Sequence, residues 1–192
     1  PLNFVSHAHA DHIGNHRRVI CSAPTLELMK LRTRVDEATV LDWGEEHDIA
    51  GATISLHPAG HVLGSAMILI EKAGTRLLYT GDFRLGSGLT TEKCEQVKCD
   101  VLLMECTYGH PRYTFPPQEE LLNQLDRFVE SCFDDNFIPV VLGYSLGKAQ
   151  EAVAALGQLG YGVVAHPGII RICRVYEKFG VRFENLTEIG PG

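Results

Sequence analysis

Four side chains able to bind a metal, His7, His9, Asp11 and His12, crowd the stretch Ser6-His7-Ala8-His9-Ala10-Asp11-His12-Ile13-Gly14. Three imidazoles and a carboxylate interleaved with alanine are a poor surface for packing, so any fold of this chain has to give them another use. Leu2, Phe4 and Val5 read as an extended apolar run from Asn3 to Ala8. On a strand, His7 and His9 would then share one side and reach a single ion. Asp11 and His12 follow where Ile13-Gly14 marks a turn, and they can face a neighbouring ion. Imidazole and carboxylate without thiolate suit Zn2+, with Mn2+ or Fe2+ as alternatives. Two plainer readings stay open: a His-rich surface turn, and one structural zinc site. Structural zinc sites usually close with cysteine and keep no carboxylate to spare.

Further ligand types recur downstream. His57-Pro58-Ala59-Gly60-His61-Val62-Leu63-Gly64-Ser65 is a glycine-bearing loop between two apolar runs, Ala52 to Leu56 and Ala66 to Ile70. His61 sits at its middle, where glycine lets backbone approach a ligand. Thr75 to Thr80 reads as a strand ending in Gly81-Asp82-Phe83-Arg84, and a carboxylate just past a strand end is well placed to lie between two cations. Taken alone, His61 is a surface loop histidine and Asp82 a surface acid. After the opening cluster, both extend its ligand set.

The series His-x-His-x-Asp-His, Gly-His-x-x-Gly-Ser and Thr-Gly-Asp resembles the metallo-β-lactamase superfamily of binuclear hydrolases. The resemblance implies His7, His9 and His61 on one metal, Asp11 and His12 on the other, and Asp82 bridging. Leu103-Met104-Glu105-Cys106-Thr107-Tyr108-Gly109 resembles the acidic motif that opens the β-CASP region, the nucleic-acid branch of the superfamily. Pro111 to Pro116 and Gly143-Tyr144-Ser145-Leu146-Gly147-Lys148 resemble segments of DNA cross-link repair nucleases and of bacterial exonucleases associated with DNA ligases. The implied fold class is α/β: an αββα sandwich over 1–108, incomplete at both ends, and part of an inserted β-CASP-like parallel α/β domain over 109–192. The implied activity is two-metal phosphodiester hydrolysis, with Asp11, His12, Asp82 and Glu105 catalytic. DNA is the implied partner and RNA the alternative, alongside association with other DNA-repair enzymes. The resemblance further implies a late histidine on the second metal and motifs after the inserted domain. Neither is found before Gly190-Pro191-Gly192, so the expectation is an internal fragment whose second metal site lacks a ligand.

The residues themselves support a change of character near Tyr108. Ser22-Ala23-Pro24 starts a helix with Leu26, Met29 and Leu31, and Val101 to Glu105 reads as an apolar strand ending in an acid. Beyond Pro116-Pro117, Leu121, Leu122, Leu125, Phe128, Val129 and Cys132 recur at helical steps. Ile138 to Leu142 reads as a buried strand, followed by a helix through Ala149, Ala152, Val153 and Leu156. Tyr161 to Ala165 is the next strand, then a helix with Ile172, Val175, Tyr176 and Phe179, then a short strand at Val181 to Phe183. That alternation implies a parallel sheet with helices against it.

The turn from Gly143 to Lys148 would place free N–H groups at a helix start, a phosphate cradle with Tyr144, Ser145, Gly147 and Lys148. The plain alternative is a strand-to-helix turn with Lys148 in solvent. Its spacing is not that of a P-loop. Glu105 is either a capping or salt-bridging acid or a carboxylate that orients a ligand. His57, His110 and His166 read as structural or surface residues, with His110 nearest to a cleft role.

Composition sets the remaining bounds. A chain of 192 residues, 45% hydrophobic, has enough material for a core. No apolar run approaches membrane-spanning length and no signal peptide opens the chain, consistent with a cytoplasmic or nuclear enzyme without a membrane partner. The six cysteines form no Cys-x-x-Cys pair and read as reduced thiols, Cys106 and Cys132 buried. The net charge of −7 opposes sequence-independent wrapping of duplex, which wants a basic face. Neither part escapes it: residues 1–108 carry 10 basic and 14 acidic groups, and 109–192 carry 7 and 10. Bound divalent ions would offset this locally. A small-molecule thioester or lactone hydrolase and a non-catalytic scaffold remain as alternatives.

Overall fold

A computed structural model describes residues 2–190; Pro1, Pro191 and Gly192 lie outside the described residues. The chain divides into two compact units, Pro1–Glu105 with Lys178–Gly180, and Cys106–Glu177 with Val181–Gly192.

The first unit is built from β1 (Asn3–Phe4), β2 (Arg18–Cys21), α1 (Ala23–Lys30), β3 (Glu37–Val40), β4 (His47–Ile49), β5 (Ala52–Pro58), β6 (Ala66–Lys72), β7 (Thr75–Tyr79) and β8 (Val101–Leu103). β1, β2 and β3 form a parallel sheet in that order, and β4 to β8 form a second sheet in sequence order. Within the second sheet β4 to β7 are antiparallel neighbours, and β8 joins β7 in parallel. Strand alternation decides the packing. Ile54, Leu56, Ala66 and Ile68 meet Ile20 and Leu41 on one side. Met67 and Leu69 point the other way, where Leu78, Ala59, Cys94 and Phe83 cover them. β6 is therefore buried on both faces, which is why its apolar run is unbroken.

Helix α1 starts where expected. Ser22 caps it by accepting from the Thr25 N–H at 3.3 Å. The strand expected to carry the first histidines stops early. The β1 pairing ends with the Val5 N–H on the Ile20 carbonyl, and Ser6 to Gly14 is loop and turn. His7 and His9 owe their positions to that loop and not to strand alternation.

The second unit contains α2 (Gln118–Asp134), α3 (Lys148–Gln158), β9 (Val163–Ala165), α4 (Pro167–Lys178) and β10 (Leu186–Glu188). β9 and β10 pair in parallel, Leu186 with Val163 and Glu188 with Ala165, as the alternating pattern implies. Three expectations fail here. Ile138 to Leu142 forms no strand and is not buried: Ile138 is 87% and Leu142 91% exposed. An apolar β-prone run becomes a strand only where a neighbour accepts its N–H and C=O groups, and the described partner of β9 is β10. The last strand lies at Leu186–Glu188 and not at Val181 to Phe183. Phe183 instead packs on Tyr176, ring centroids 6.2 Å apart, before a turn through Asn185, whose φ is 52°. The thiols differ as well: Cys21, Cys94 and Cys173 are buried, Cys106 is exposed and Cys132 half-buried. All six cysteines are free. Among the described residues no helix is long and apolar enough to cross a membrane.

Candidate metal centre

Three loops of the first unit converge: the Ser6–Gly14 loop after β1, the His61 loop between β5 and β6, and the Asp82 turn after β7. One nitrogen each from His7, His9 and His61 and one oxygen from Asp82 lie within 4.8 Å of one another. His9 Nδ1 is 3.0 Å from His7 Nε2 and 3.3 Å from His61 Nε2. Asp82 Oδ2 is 3.8 Å from His7 Nε2 and 3.6 Å from His61 Nε2. Tetrahedral Zn2+ with N and O bonds near 2.0–2.1 Å needs donors about 3.3 Å apart. The nearest pairs straddle that spacing, and the widest, up to 4.8 Å, would have to draw in for the four atoms to share one ion.

The other oxygen of Asp82 faces elsewhere. Oδ1 lies 3.4 Å from His12 Nε2, and His12 Nε2 lies 3.7 Å from Asp11 Oδ2. Asp82 thus has one oxygen toward His7 and His61 and the other toward His12. Asp11 is the outlying member. Its side chain is 81% exposed, and its carboxylate approaches His12.

Metal binding to histidine needs a free lone pair, hence a neutral ring. His7 is fully buried. Burial first, and then His12, His61 and His9, hold its imidazole far below the ordinary value, at about 2. Burial also lowers His61, helped by His9 and opposed by Asp82 and Glu105.

Several supporting residues carry no role in the sequence reading. Ser6 Oγ lies 3.1 Å from His7 Nδ1 and 3.4 Å from His12 Nδ1. A hydroxyl has two acceptor lone pairs, so it can take the Nδ1 protons of both rings and leave each Nε2 free toward Asp82. Gly81, at φ +54°, makes room for this: a Cβ there would come 2.5 Å from the Ser6 Cβ. Ser65 Oγ accepts from the His61 N–H at 2.9 Å and the Val62 N–H at 3.2 Å. The Gly64 carbonyl accepts from Ser22 Oγ at 2.6 Å and Thr25 Oγ1 at 2.8 Å, and the Gly64 N–H donates to Glu92. Ser6 and Ser65 stand inside the histidine motifs, which is the one sequence signal for them; Glu92 and Thr25 have none.

Glu105 Oε1 accepts from the Phe83 N–H at 3.3 Å, fixing the turn that presents Asp82. His57 is structural, tied to Ser55 Oγ at 3.1 Å and Glu95 at 3.0 Å. His110 and His166 are exposed.

The turn before α3 departs from its expectation. No strand leads into it, and its amides are in part already used. The Gly147 N–H donates to Gln150 Oε1 at 2.8 Å, the Ala149 N–H to the Tyr144 carbonyl at 3.1 Å, and Gln150 Nε2 to the Ser145 carbonyl at 3.1 Å. Gln150 fills part of the place foreseen for a phosphate. Tyr144, Ser145 and Lys148 are exposed.

A model described as the beta-lactamase superfamily domain matches residues 3–161. The chain belongs to the metallo-β-lactamase superfamily. It is 41% identical over 97% of its length to a probable DNA ligase of Opitutus terrae, of which it spans 19%. It is 31% identical over 90% of its length to a DNA cross-link repair protein of Arabidopsis thaliana, of which it spans 38%. The chain therefore spans well under half the length of these relatives. The whole chain matches 52% of a protein of unknown function from Enterococcus faecalis, known from a crystal structure, with a TM-score of 0.66 and 18% identity. That likeness concerns the mixed α/β fold. Superfamily members use divalent metals, and the His/Asp group here could bind one.

Proposed function

We propose that this chain carries a binuclear metal-dependent hydrolytic site acting on nucleic-acid phosphodiesters, and that it works as a DNA exonuclease of the cross-link repair type. The observation that carries the reading is Asp82, whose two oxygens face different histidines, Oδ2 toward His7 and His61 and Oδ1 toward His12. His7, His9 and His61 would hold one ion, Asp11 and His12 the second, with Asp82 shared. The ions would be Zn2+, or Mn2+ or Fe2+. When bound, such a pair lowers the pKa of a water and offsets charge on the phosphodiester and the leaving oxygen.

The chain's own groups then position and exchange protons. Ser6 fixes the ring tautomers of His7 and His12 by holding their Nδ1 protons. Asp11, open to solvent, accepts a hydrogen bond from the attacking water and aims it. Glu105 keeps the Asp82 turn in place through Phe83. In the second unit, Lys148 and Ser145, with Tyr144, grip a flanking or terminal phosphate and set register, on a turn whose Gly147 N–H is held by Gln150. Residues 1–108 act in this reading as the lactamase-like part, and residues 109–192 as part of a β-CASP-like insertion. The likeness to a DNA cross-link repair protein and a probable DNA ligase favours DNA.

The test is cleavage of single-stranded DNA, RNA and bis(4-nitrophenyl) phosphate by metal-stripped protein before and after adding Zn2+ or Mn2+. Metal-restored shortening of DNA, faster with a 5′-phosphate, is expected. Cleavage confined to RNA moves the substrate to the RNA-processing branch. Thioester hydrolysis with no phosphodiester cleavage overturns the proposal.

A further inference from the structure

Beyond Glu105 the chain makes two tight turns, with the Gly109 N–H on the Cys106 carbonyl at 3.2 Å and the Tyr113 N–H on the His110 carbonyl at 3.0 Å. They gather three aromatic rings that are far apart for a short loop. Tyr108 meets Tyr113 edge-to-face at 5.3 Å between centroids and Phe115 at 5.2 Å, with interplanar angles of 81° and 87°. The Arg112 guanidinium lies 4.8 Å from the centre of the Tyr113 ring and donates to its hydroxyl at 2.8 Å. The Arg112 N–H is held by His110 Nδ1 at 3.1 Å.

Despite these mutual contacts the rings stay in water: Tyr108 is 58% and Phe115 67% exposed. Aromatic rings exposed side by side form a patch, and a patch points to a contact where a single exposed ring does not. In a chain of net charge −7, the thirteen residues Cys106 to Gln118 contain no Asp or Glu but do contain Arg112 and His110.

We propose that Tyr108 and Phe115 form a stacking platform for the unpaired bases of a single nucleic-acid strand, with Arg112 bracing Tyr113 and supplying a cation beside it. Stacking on aromatic faces is uncharged and tolerant of sequence, and so it suits a protein whose overall charge repels a polyanion. A peptide or an acyl chain would also touch aromatic rings. The planar cation and the absence of acid fit a base bearing a phosphate better. The turns order the rings before binding, which lowers the entropy lost on binding. The platform rests on the nucleic-acid reading of the site, and it adds the part of the substrate that is recognised: the base face of an unpaired strand.

The experiment measures binding by fluorescence anisotropy in EDTA, so that it does not depend on hydrolysis. The probes are ten-residue oligo(dT), oligo(rU) and an abasic DNA of the same length. Wild type should prefer oligo(dT) to the abasic strand, and Phe115→Ala should weaken oligo(dT) binding about tenfold. Binding of the abasic strand should be unchanged. Phe115→Leu keeps apolar bulk without a π-face and should behave like Phe115→Ala, while Phe115→Trp should bind as wild type or more tightly. Circular dichroism of each variant must match wild type. Equal binding of oligo(dT) and abasic DNA by wild type, or a Phe115→Leu variant that binds as wild type does, overturns the platform. Equal preference for oligo(rU) supports it for both sugars. Hydrolysis of bis(4-nitrophenyl) phosphate separates the two claims. Turnover without base-dependent binding sinks the platform alone, and base-dependent binding without turnover sinks the hydrolase alone.

Discussion

Two glycine-bearing turns, Ala59–Ser65 and Gly143–Lys148, look alike in sequence and differ sharply in support. The first is held by several neighbours. Ser65 caps two of its amides, Ser22 and Thr25 take its Gly64 carbonyl, Glu92 takes the Gly64 N–H, and the Arg84 N–H donates to Ala59 at 2.9 Å. The second is held by a local side chain, Gln150, and by the Ala149 N–H on the Tyr144 carbonyl, and it follows an exposed run that forms no strand. A ligand histidine tolerates little play, because metal bonds fix donor positions to tenths of an ångström. A turn that would grip a mobile phosphate can be looser.

Five experiments sharpen or break that contrast. Replacing Asp82 with Asn should cost the largest share of activity, more than about a hundredfold, since changes one shell further out already cost 10–100-fold; wild-type turnover would remove Asp82 from the site. Gly64→Ala should be next. A Cβ there would lie 2.6 Å from Pro24 Cβ and 2.9 Å from Thr25 N at φ +73°. Ser65→Ala should be milder, leaving two amides uncapped at about 1–3 kcal/mol. Urea unfolding reads both, and a loss no larger than for Gly143→Ala would refute the contrast.

Acid should act on the same side. His7 is neutral in the fold and has an ordinary value of 6.5 when unfolded, so its burial weighs fully above about pH 6.5. Below that the unfolded chain binds a proton that the fold refuses until about pH 2. Metal-free protein should therefore lose up to about 1.4 kcal/mol per pH unit per such group. His61, also lowered, adds to the loss. The comparison is urea midpoints at pH 7.5 and 5.0, and His7→Asn should flatten the difference. In the second turn, Lys148→Ala should reduce the preference for a 5′-phosphate about tenfold while leaving unfolding unchanged, by analogy with a single charged hydrogen bond. An unaltered preference withdraws Lys148 from phosphate binding. Smallest of all, Leu142→Asp should move stability by no more than about 0.5 kcal/mol, as for other exposed positions. A larger loss would mean that the segment is covered.

The loops that carry the His/Asp group were legible in sequence because histidines and glycines at fixed spacing have few other uses. His7, His9, His61 and Asp82 stand together in the structure. The strands β5, β6 and β7 were legible for a related reason, since both of their faces or one of them is buried and the apolar pattern follows. Ile138 to Leu142 shows the limit. Its composition matches a central strand, but pairing depends on residues distant in sequence that no local pattern encodes. Cys106 and Cys132 show it too, because burial of a cysteine is decided by what packs over it. Glu92 and Thr25 stayed hidden because they act through backbone atoms of another loop, which leaves no mark on their own sequence.

The turn Ala73–Gly74 between β6 and β7 takes on another meaning beside the His61 loop at the opposite end of β6. Both residues have positive φ, 50° and 78°, and a Cβ on Gly74 would meet nothing within 4 Å. Seven residues of strand put about 20 Å between the two ends. The two ends of one strand thus differ in how freely they can be edited. An inserted residue between Gly60 and Ser65 would shift His61 relative to its cap, whereas a peptide handle or a dye spliced in at Ala73–Gly74 would sit in open water, rigidly coupled to the histidines and out of their way.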